Sequence, residues 1–558
     1  MARHPLVLIT LVHVLAWSGV ACAQIPPCVG TVFEDGNGNG RYDPGERGLP
    51  GVGISDGERI VRTSTDGRYD LGIESGRTLF AIKPAGYRFA DLDNGLPDFW
   101  RHLQPGPDPA LEHGGIPAEE VVQCRDFALR KETPPPRRIQ HGLKVLVFGD
   151  PQPKSTVDVG YYERDIIESV MHDSAVAMDH GLPSFYFRGG AGDVGLSLGD
   201  IVNDDLSLYP AMTAATTRLG VPWLHVAGNH DLDFDAARDE DSLRTFRRYF
   251  GPDTYAWEED EATFIVLDDV VYRPGQKPAY VGGLREAQFA FLAAYLPTLP
   301  KDRLLVVSAH IPFFDAARGG APETFRAADR ARLFGLLGEF PHVLLLSAHS
   351  HTQRHVLHGA ADGWHGAKPL HEYNVGAACG AYWSGSQDAA GIPDATMADG
   401  TPNGYATLLV RTGGQYSLAW HPARDINDTQ IALHAPKVLR QGAYPAFAVY
   451  ANVFMGRDDT RVEYRIDAGD WKPMAKVLQP DPRLLAENVA DDAAVTLRGY
   501  DRSPEAEPSQ HLWRGALPTG LASGEHAIEV RAFDPWRGEQ RAKTQYRLEH
   551  RPSEPTQP

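Results

Sequence analysis

The chain has few cysteines, more acidic than basic residues, and only one long apolar run. Four cysteines among 558 residues are too few for a scaffold held together by disulfides. With 73 acidic against 54 basic residues, the formal net charge is −19. Because binding to nucleic-acid phosphates needs clustered Lys and Arg, nucleic acid is not expected as a regular partner. The acidity is better explained as a means of keeping the protein soluble.

The one long apolar run lies within residues 1–23 and is typical of an export signal. Arg3 precedes the run, which is short and ends in small residues. We predict cleavage after Ala23, which would make the protein secreted or periplasmic. A lipoprotein attached through Cys22 is the alternative, but Gly19 stands where such signals usually carry Leu. No other segment is long and apolar enough to cross a bilayer, so no transmembrane segment is expected.

Composition divides the rest of the chain into three domains. Residues 24–132 contain short alternating runs separated by Gly, Asp and Pro, which predicts an all-β sandwich. A Pro-rich, stiff and solvated linker is expected at 133–142. Apolar strands alternate with helical patterns over 143–422, which predicts a layered α/β domain. A second sandwich is expected at 425–550 and a disordered tail at 551–558.

Export permits a disulfide between Cys28 and Cys124, near the two ends of the first domain. The sequence leaves this pairing open. Cys379 would then be unpaired, and its default role is that of a small buried residue.

Five fragments of the middle domain begin as buried strands and end in metal-ligand side chains. They read VLVFGDPQ, LSLGDIVND, LHVAGNHD, VVSAHIP and LLLSAHSH. Because open α/β sheets bind ligands at the carboxyl ends of their strands, these loops should converge at one edge. Two divalent cations about 3.5–4 Å apart, sharing a bridging carboxylate, require such a set of oxygen and nitrogen donors. The candidate ligands are Asp150, Gln152, Asp200, Asn229, His310, His349 and His351.

The order D-x-Q, GD, GNHD, H, AHSH resembles the pattern D-x-H, GD, GNH(D/E), H, GHxH of the calcineurin-like metallophosphoesterase family. The resemblance covers roughly 143–420 and implies a four-layer β-sandwich flanked by helices. The whole layout is similar to bacterial members that carry extra N-terminal and C-terminal β domains. What the resemblance implies is hydrolysis of a phosphate ester, in which a metal-bridging hydroxide attacks phosphorus and His230 protonates the leaving group as general acid.

The resemblance also implies a distribution of the ligands between two metals, with Asp200 as the bridge. It places Asp150, Gln152, Asp200 and His351 on the first metal, and Asp200, Asn229, His310 and His349 on the second. Gln152 departs from the family's usual His, and an amide oxygen makes the first site harder, which favours Mn²⁺ or Mg²⁺ more than an all-nitrogen site would. The candidate metals are Mn, Mg, Fe and Zn. Ala348 replaces the usual glycine and should have little effect.

The partner that orients His230 is left open by the sequence. In some family members an Asp three residues after the GD aspartate has this role. Here Asn203 occupies that position, and Asp204 follows it. Asp231, in the same GNHD fragment, is expected to be a structural partner and not a ligand.

The loop NVGAACGAYWSG, residues 374–385, follows the last metal fragment. Its glycines would let the backbone approach a ligand. Tyr382 and Trp383 could wall a substrate pocket, or they could pack in the core.

The segment DGNGNGRYDPGE, residues 35–46, fits a calcium-loop pattern. The ligands would be Asp35, Asn37, Asn39, the carbonyl of Arg41, Asp43 and Glu46. No helices flank the segment, which instead resembles the calcium-stapled β-sandwich repeats of bacterial surface proteins. The alternative is a polar loop that holds no ion.

The sequence therefore predicts an exported dimetal phosphoesterase that acts on a phosphate-ester substrate, as either a monoesterase or a diesterase. A surface-binding protein with an inactive phosphoesterase-like core is the alternative. The presence of all seven ligands and of His230 argues against it. A metal-dependent nuclease is disfavoured by the acidic charge. The natural substrate, the native metals and the oligomeric state are left open.

Overall fold

A computed structural model describes residues 28–72, 76–104, 106, 110–118, 124–172, 192–315, 323–425 and 428–550. The predicted export signal, Cys22 and the tail 551–558 lie outside these residues. Within the described ranges, no helix combines the length and the apolar character needed to span a bilayer.

The first domain is a sandwich of two small sheets. Its strands are β1 (Cys28–Glu34), β2 (Arg47–Gly48), β3 (Gly53–Ser55), β4 (Ile60–Arg62), β5 (Arg68–Leu71), β6 (Thr78–Ala81), β7 (Tyr87–Phe89), β8 (Trp100–His102) and β9 (Phe127–Lys131). One sheet has the order β2-β1-β9-β7 with β5 also paired to β1, and the other has the order β4-β3-β6-β8. A disulfide joins Cys28 to Cys124, with their Cα atoms 5.2 Å apart, so the bridge that the sequence left open is present.

The described side chains of 133–142 are exposed or half-buried, except at one residue. The segment contains a short helix, α1 (Pro136–His141), in which Arg138 is only 4% exposed. The guanidinium donates hydrogen bonds to the carboxylates of Glu259 (2.8 Å) and Glu261 (2.7 Å). Because a buried cation is stable only when it is paired and hydrogen-bonded, these two acids hold the segment against the middle domain.

The first domain also packs directly on the middle domain. The ring of Phe80 contacts that of Phe291 at 6.3 Å between centroids, and Phe99 contacts Tyr255 at 5.4 Å. Their buried residues belong to one continuous hydrophobic core. The two domains are therefore joined by apolar burial as well as by the chain between them.

The middle domain contains two larger sheets, a β-hairpin and helices. The strands of the first sheet are β10 (Leu143–Phe148), β11 (Val194–Leu198), β12 (Trp223–Val226), β21 (Gly404–Arg411) and β22 (Gln415–Pro422). Those of the second are β13 (Tyr255–Glu258), β14 (Ala262–Val266), β17 (Leu304–Ser308), β18 (Val343–Ser347), β19 (Arg354–His358) and β20 (Leu370–Asn374). The hairpin consists of β15 (Val270–Tyr272) and β16 (Tyr280–Gly282). The helices are α2 (Thr156–Tyr162), which continues into a π-turn (Glu163–Ile167), α3 (Tyr209–Thr216), α4 (Arg244–Phe250), α5 (Glu286–Tyr295) and α6 (Ala327–Leu337).

The strand order explains why the ligand loops share one side of the molecule. The sheets have the orders β12-β11-β10-β21-β22 and β13-β14-β17-β18-β20-β19. Strands β10, β11 and β12 are parallel, as are β14, β17, β18 and β20. Helices α2 and α3 pack together, as do α5 and α6. Strands such as β11 and β17 are buried along their whole length, as expected for sheets covered on both faces. The predicted four-layer fold is confirmed.

The last domain is a second sandwich with a helix. Its strands are β23 (Ile431–His434), β24 (Val438–Arg440), β25 (Ala448–Val453), β26 (Val462–Ile466), β27 (Lys472–Pro473), β28 (Ala475–Pro480), β29 (Pro508–Ala516), β30 (Gly524–Asp534) and β31 (Gly538–Glu549), and its helix is α7 (Pro482–Ala493). The sheets have the orders β23-β25-β29-β28 and β24-β31-β30-β26-β27. This domain has a hydrophobic core of its own between the two sheets.

Candidate metal centre

Each of the five ligand fragments follows directly from a buried strand. Strands β10, β11 and β12 lead into the loops that carry Asp150, Asp200 and Asn229, and β17 and β18 lead into those of His310 and His349. Because these strands are parallel to one another within each sheet, their carboxyl ends lie at the same edge. The two sheets bring these edges together at one place.

Five of the seven predicted ligands adopt a left-handed backbone conformation. Their φ angles are 39° for Asp150, 42° for Gln152, 49° for Asp200, 66° for His349 and 49° for His351. Such angles cost a residue with a Cβ about 1 kcal/mol or more, and they persist only where the surrounding structure enforces them. The turns at the strand ends therefore direct these side chains toward the centre, although the backbone conformation that does so is energetically unfavourable.

Three side chains of the predicted second metal site converge on the fourth, His310. Its Nδ1–H donates to the carbonyl of Leu198 at 2.8 Å, which leaves the Nε2 lone pair facing the site. That Nε2 lies 3.1 Å from Oδ1 of Asn229, 3.1 Å from Nδ1 of His349 and 3.4 Å from Oδ2 of Asp200. Atoms that carry lone pairs repel one another at such distances unless a proton or a metal cation lies between them. This donor set fits a divalent cation.

The electrostatics of the same group favour a positive charge. Burial alone would lower the pKa of His310, but the carboxylates of Asp200, Asp150 and Asp269 outweigh burial and raise the pKa to about 10. Burial also acts against ionisation of Asp200, yet the neighbouring imidazoles hold its pKa below the ordinary value. A buried site that stabilises a bound proton so strongly has the field that a cation requires.

The remaining predicted ligands form a second group beside the first. The Nδ1–H of His351 donates to the carbonyl of Gly380 at 2.7 Å, and its Nε2 lies 3.6 Å from Oδ1 of Asp150. The Asp150 carboxylate accepts the backbone N–H of His349 at 3.0 Å. Gln152, 1% exposed, donates its backbone N–H to the carbonyl of Asp200 at 3.0 Å. Contacts therefore connect all seven predicted ligands, that of Gln152 through its backbone. Among them, Asp200, His310 and His349 bring their donor atoms close enough together to hold a divalent cation.

His230 lies at the edge of this centre, with Asp204 as its partner. The ring Nδ1 is 2.7 Å from Oδ1 of Asp204, whereas Asn203 donates its backbone N–H to the carbonyl of Pro153. Burial lowers the pKa of His230, but the hydrogen bond to Asp204 and the charge of Asp200 outweigh it, so the pKa is raised overall. The structure thereby selects Asp204 over Asn203 as the partner of His230.

Asp231 is held entirely by structural contacts. Its carboxylate accepts the backbone N–H groups of Gly228 (2.8 Å) and Ile201 (3.1 Å) and the hydroxyl of Tyr209 (3.0 Å). These bonds tie the His230 loop to the Asp200 loop, consistent with the structural role that we predicted.

The two aromatic residues of the 374–385 loop have different positions. Tyr382 is 48% exposed, and its ring lies over that of His351 at 4.5 Å between centroids. Trp383 is 1% exposed, and its indole N–H donates to the carbonyl of Pro151 at 2.9 Å. The proposal that Trp383 walls a substrate pocket is therefore wrong, because its ring packs in the core beneath the ligand loop.

Two residues next to the centre were not identified from the sequence. The buried carboxylate of Asp269 accepts the backbone N–H groups of His310 (3.1 Å) and Ile311 (3.2 Å). Lys154 follows the first ligand loop and donates its ammonium to the carbonyl of Tyr382 at 3.1 Å. The fragment FIVLDD could have indicated Asp269, because it too is an apolar run that ends in acidic residues. No pattern in the sequence indicates Lys154.

The predicted calcium loop is organised by its own side chains. Asp35 accepts the backbone N–H groups of Gly38 and Asn39, and the amides of Asn37 and Asn39 donate to Oδ2 of Asp43 at 2.8 Å. Glu46 accepts the backbone N–H of Asp43 at 3.0 Å. The backbone N–H of Arg41 donates to Oδ1 of Asn39. The oxygens of this loop are thus gathered on one turn, and calcium binding stays a prediction.

Three family models match the chain in order. The one described as "Calcineurin-like phosphoesterase" matches residues 143–353. Those described as the N terminal and the C terminal of calcineurin-like phosphoesterase match residues 36–111 and 372–539. Together the three ranges cover well over half of the chain.

Comparisons with single proteins gave only distant likenesses. No curated protein matches the chain. Among solved structures, purple acid phosphatase PPD1 from yellow lupin (Lupinus luteus) seeds is 13% identical, covers 68% of this chain and 70% of its own, and has a TM-score of 0.36. PhoD is 12% identical over 72% of this chain and 83% of its own, with a TM-score of 0.36. TT1561 of Thermus thermophilus is 13% identical over 42% and 89%, with a TM-score of 0.24.

The family models agree with the ligand fragments and with the convergence of their side chains at one sheet edge. The family implies divalent metal ions and a phosphate-ester substrate. The chain belongs to the calcineurin-like phosphoesterase family and is a metal-dependent phosphoric ester hydrolase.

Proposed function

We propose that this protein is an exported phosphoesterase in which His230 acts as the general acid. The observation that carries the proposal is the position of His230. It lies beside the seven clustered ligands, and its ring is held 2.7 Å from the Asp204 carboxylate. Export rests on the apolar run and the small residues within 1–23.

The ligands divide as the family pattern implies. Asp150, Gln152 and His351 would hold one cation, and Asn229, His310 and His349 the other, with Asp200 shared between them. Two bound divalent cations supply Lewis acidity and activate water at neutral pH. The hydrogen bonds of His310 to Leu198 and of His351 to Gly380 fix the tautomer in which Nε2 faces the site.

His230 would deliver a proton to the departing oxygen. A general acid must be protonated at working pH and must lose its proton in the transition state. The Asp204 carboxylate orients the ring through Nδ1 and stabilises its protonated form, which leaves Nε2–H to face the substrate. The backbone N–H of His230 donates to Oδ1 of Asp200 at 2.8 Å, so the acid and the shared ligand are in one rigid unit.

Because two bound cations would generate the nucleophile from water, the proposed hydrolysis needs no covalent intermediate on the protein. Phosphomonoesters and phosphodiesters both fit such a centre. A surface-binding protein with an inactive core is the second candidate, but the joint presence of the ligands, of His230 and of its carboxylate partner favours the enzyme.

The test measures hydrolysis of p-nitrophenyl phosphate and bis-p-nitrophenyl phosphate by metal-stripped protein that is resupplied with Mn²⁺. We expect metal-dependent turnover that is lost in His230→Ala and kept in His365→Ala, a matched change at an exposed histidine. The preferred ester separates a monoesterase from a diesterase. Full activity of His230→Ala, or turnover that does not depend on metal, would contradict the proposal.

We also propose that the 35–46 loop binds a structural Ca²⁺ ion, with an affinity on the order of 10⁻⁴–10⁻³ M as in other extracellular modules. The gathered oxygens of Asp35, Asn37, Asn39, Asp43 and Glu46 support it. Millimolar calcium should raise the unfolding temperature of the wild type and not that of Glu46→Gln. Glu58→Gln, a change at a surface ion pair with Arg77, is the control.

A further inference from the structure

The last domain reaches the rim of the metal centre through backbone contacts. The backbone N–H of Gly385 donates to the carbonyl of Asp501 at 3.2 Å, and that of Gln387 donates to the carbonyl of Arg498 at 3.4 Å. A Cβ atom at Gly499 would lie 2.0 Å from the carbonyl oxygen of Gly385. Only glycine allows this approach, so the 498–501 segment is fitted closely to the loop that follows Tyr382.

This attachment is fixed by a buried polar network. Asp399, in the middle domain, accepts from His511 at 3.1 Å and from the backbone N–H of Gln353 at 2.8 Å. Asn452 donates to the carbonyl of Asp399 at 2.9 Å. All four residues are at most 3% exposed, and breaking a buried charge network is costly. The last domain therefore has a defined position beside the metal centre.

Three side chains connect the metal ligands to that domain. The ring of Tyr382 lies over His351, the ammonium of Lys154 donates to the Tyr382 carbonyl, and the same ammonium lies 5.4 Å from the ring centroid of Tyr500. Tyr382 and Tyr500 are 48% and 71% exposed. The three residues thus form a continuous wall that is open to solvent.

Lys154 has the position and the charge of an anion-binding group. In the described part of the chain, no carboxylate lies within ion-pair distance of its ammonium, whose polar contact is a carbonyl. The exposed ring of Tyr500 beside it reduces its access to water, which strengthens its attraction for an anion. The net charge of the protein is −19, yet this lysine beside the phosphoesterase centre has no carboxylate partner among the described residues. It is therefore available to bind an anionic ligand.

The wall lies on the side of the general acid. The backbone N–H of Asn203 donates to the carbonyl of Pro153, the residue before Lys154, and the backbone N–H of Asp204 donates to the carbonyl of His230. The loop of Lys154 therefore adjoins the loop that holds His230. Because His230 protonates the departing oxygen in the proposed function, the leaving group would lie on this side of the centre.

We infer that Lys154, Tyr382 and Tyr500 form a specificity subsite for the leaving group, and that the preferred substrates are phosphate esters whose alcohol carries a second anionic group. Lys154 binds that group, and the two tyrosine rings pack against the carbon framework that bears it. The last domain contributes Tyr500 and thereby completes the substrate site. This inference rests on the proposed function.

The test compares 4-carboxyphenyl phosphate with 4-carbamoylphenyl phosphate, which has nearly the same shape and no second charge. The readout is the ratio of their kcat/KM values in each variant, so that the different intrinsic reactivities of the two esters cancel. Lys154→Met should lower the carboxy-to-carbamoyl ratio by about five- to tenfold, as expected for a partly exposed hydrogen bond between charged groups. Tyr500→Ala should raise KM for both esters, and its carboxy-to-carbamoyl ratio should be closer to that of the wild type than the ratio of Lys154→Met.

Two matched controls are available. Lys301→Met removes a lysine that also lies over a ring, 5.6 Å from the centroid of Phe340, and Tyr444→Ala removes a 93% exposed tyrosine from the same domain as Tyr500. Both should behave as wild type. Turnover with a ratio unchanged by Lys154→Met overturns the subsite alone. Metal-dependent turnover of bis-p-nitrophenyl phosphate without turnover of either test ester also overturns the subsite alone. Absence of metal-dependent turnover of all three esters by the wild type overturns the proposed function, and the subsite with it.

Discussion

The contact between His230 and Asp204 predicts how the reaction rate depends on the leaving group. Phenolate is a poor leaving group and needs a proton as it departs, whereas 2,4-dinitrophenolate departs readily without one. If His230 is the general acid, His230→Ala should harm the hydrolysis of phenyl phosphate far more than that of 2,4-dinitrophenyl phosphate. The assay is kcat for both esters on Mn²⁺-loaded protein at one pH.

The size of the effect follows from general acid catalysis and from the geometry of the pair. Loss of the acid should lower kcat on phenyl phosphate by about 10²–10⁴-fold, and on the dinitrophenyl ester by less than about tenfold, because little proton transfer is lost. Asp204→Asn keeps a side chain of the same shape at 2.7 Å and removes its charge. Because the Asp204 side chain is 53% exposed, we expect a loss of about 1 kcal/mol, or about fivefold, on phenyl phosphate.

The neighbouring Asn203 provides a matched control. Its contact is a backbone hydrogen bond to Pro153, so Asn203→Ala should leave both rates unchanged. Equal losses on the two esters in His230→Ala would refute the reasoning, since they would mean that His230 binds the phosphoryl group and does not protonate the leaving group. A larger loss from Asn203→Ala than from Asp204→Asn would refute the assignment of the partner.

Three further predictions concern stability. Arg138→Met leaves two buried glutamates without their guanidinium and should lower the free energy of unfolding by about 3–5 kcal/mol, measured by urea denaturation; an unchanged midpoint would contradict the buried pairing. Trp383→Ala should cost about 3–5 kcal/mol of stability through the cavity that it leaves, and a rise in KM with an unchanged melting temperature would instead restore Trp383 to the substrate pocket. Burial lowers the pKa of His225 and of His371 from 6.5 to about 3, so the unfolded chain takes up protons that the folded protein does not. Their contribution is fully present above pH 6.5 and declines toward pH 3, by about 2 kcal/mol for each histidine at pH 5. The drop in stability between pH 7 and pH 5 should shrink in His225→Phe, and an equal drop in both proteins would disprove this origin.

The position of the metal centre could be predicted because its signals are local. Each ligand stands directly after an apolar run, so a strand and a ligand loop are visible together in a few residues. Parallel strands then bring the loops to one edge without further information. Asp150 and His349 are far apart in sequence, yet each is identified by its own fragment.

The partner of His230 could not be predicted because it depends on one backbone angle. Asn203 and Asp204 are adjacent and differ little in reach. The left-handed conformation of Asp204, with φ of 67°, turns its carboxylate toward the ring. A local pattern of residue types does not reveal such an angle at a residue other than glycine.

The anchoring of the 133–142 segment and the burial of Trp383 could not be predicted because burial depends on distant partners. Arg138 is buried by glutamates 121 and 123 residues away in sequence, and a Pro-rich segment gives no indication of them. Trp383 lies next to the exposed Tyr382 in a loop rich in glycine. The composition of this loop is compatible with Trp383 in a substrate pocket or in the core, and only the packing of the domain decides between these two positions.

The left-handed turns at five ligand positions have a consequence for which metal the protein carries. If these residues bind metal as proposed, the fold already holds their backbone in place, and loading an ion would require little rearrangement of it. Such a prearranged backbone would receive every divalent ion of suitable size equally well. Discrimination among ions then depends on the chemistry of the donors, including the amide of Gln152, and on the ions supplied by the compartment where the protein folds. Cells could thus change the metal content of this protein by changing the compartment or its metal supply, without any change in the sequence.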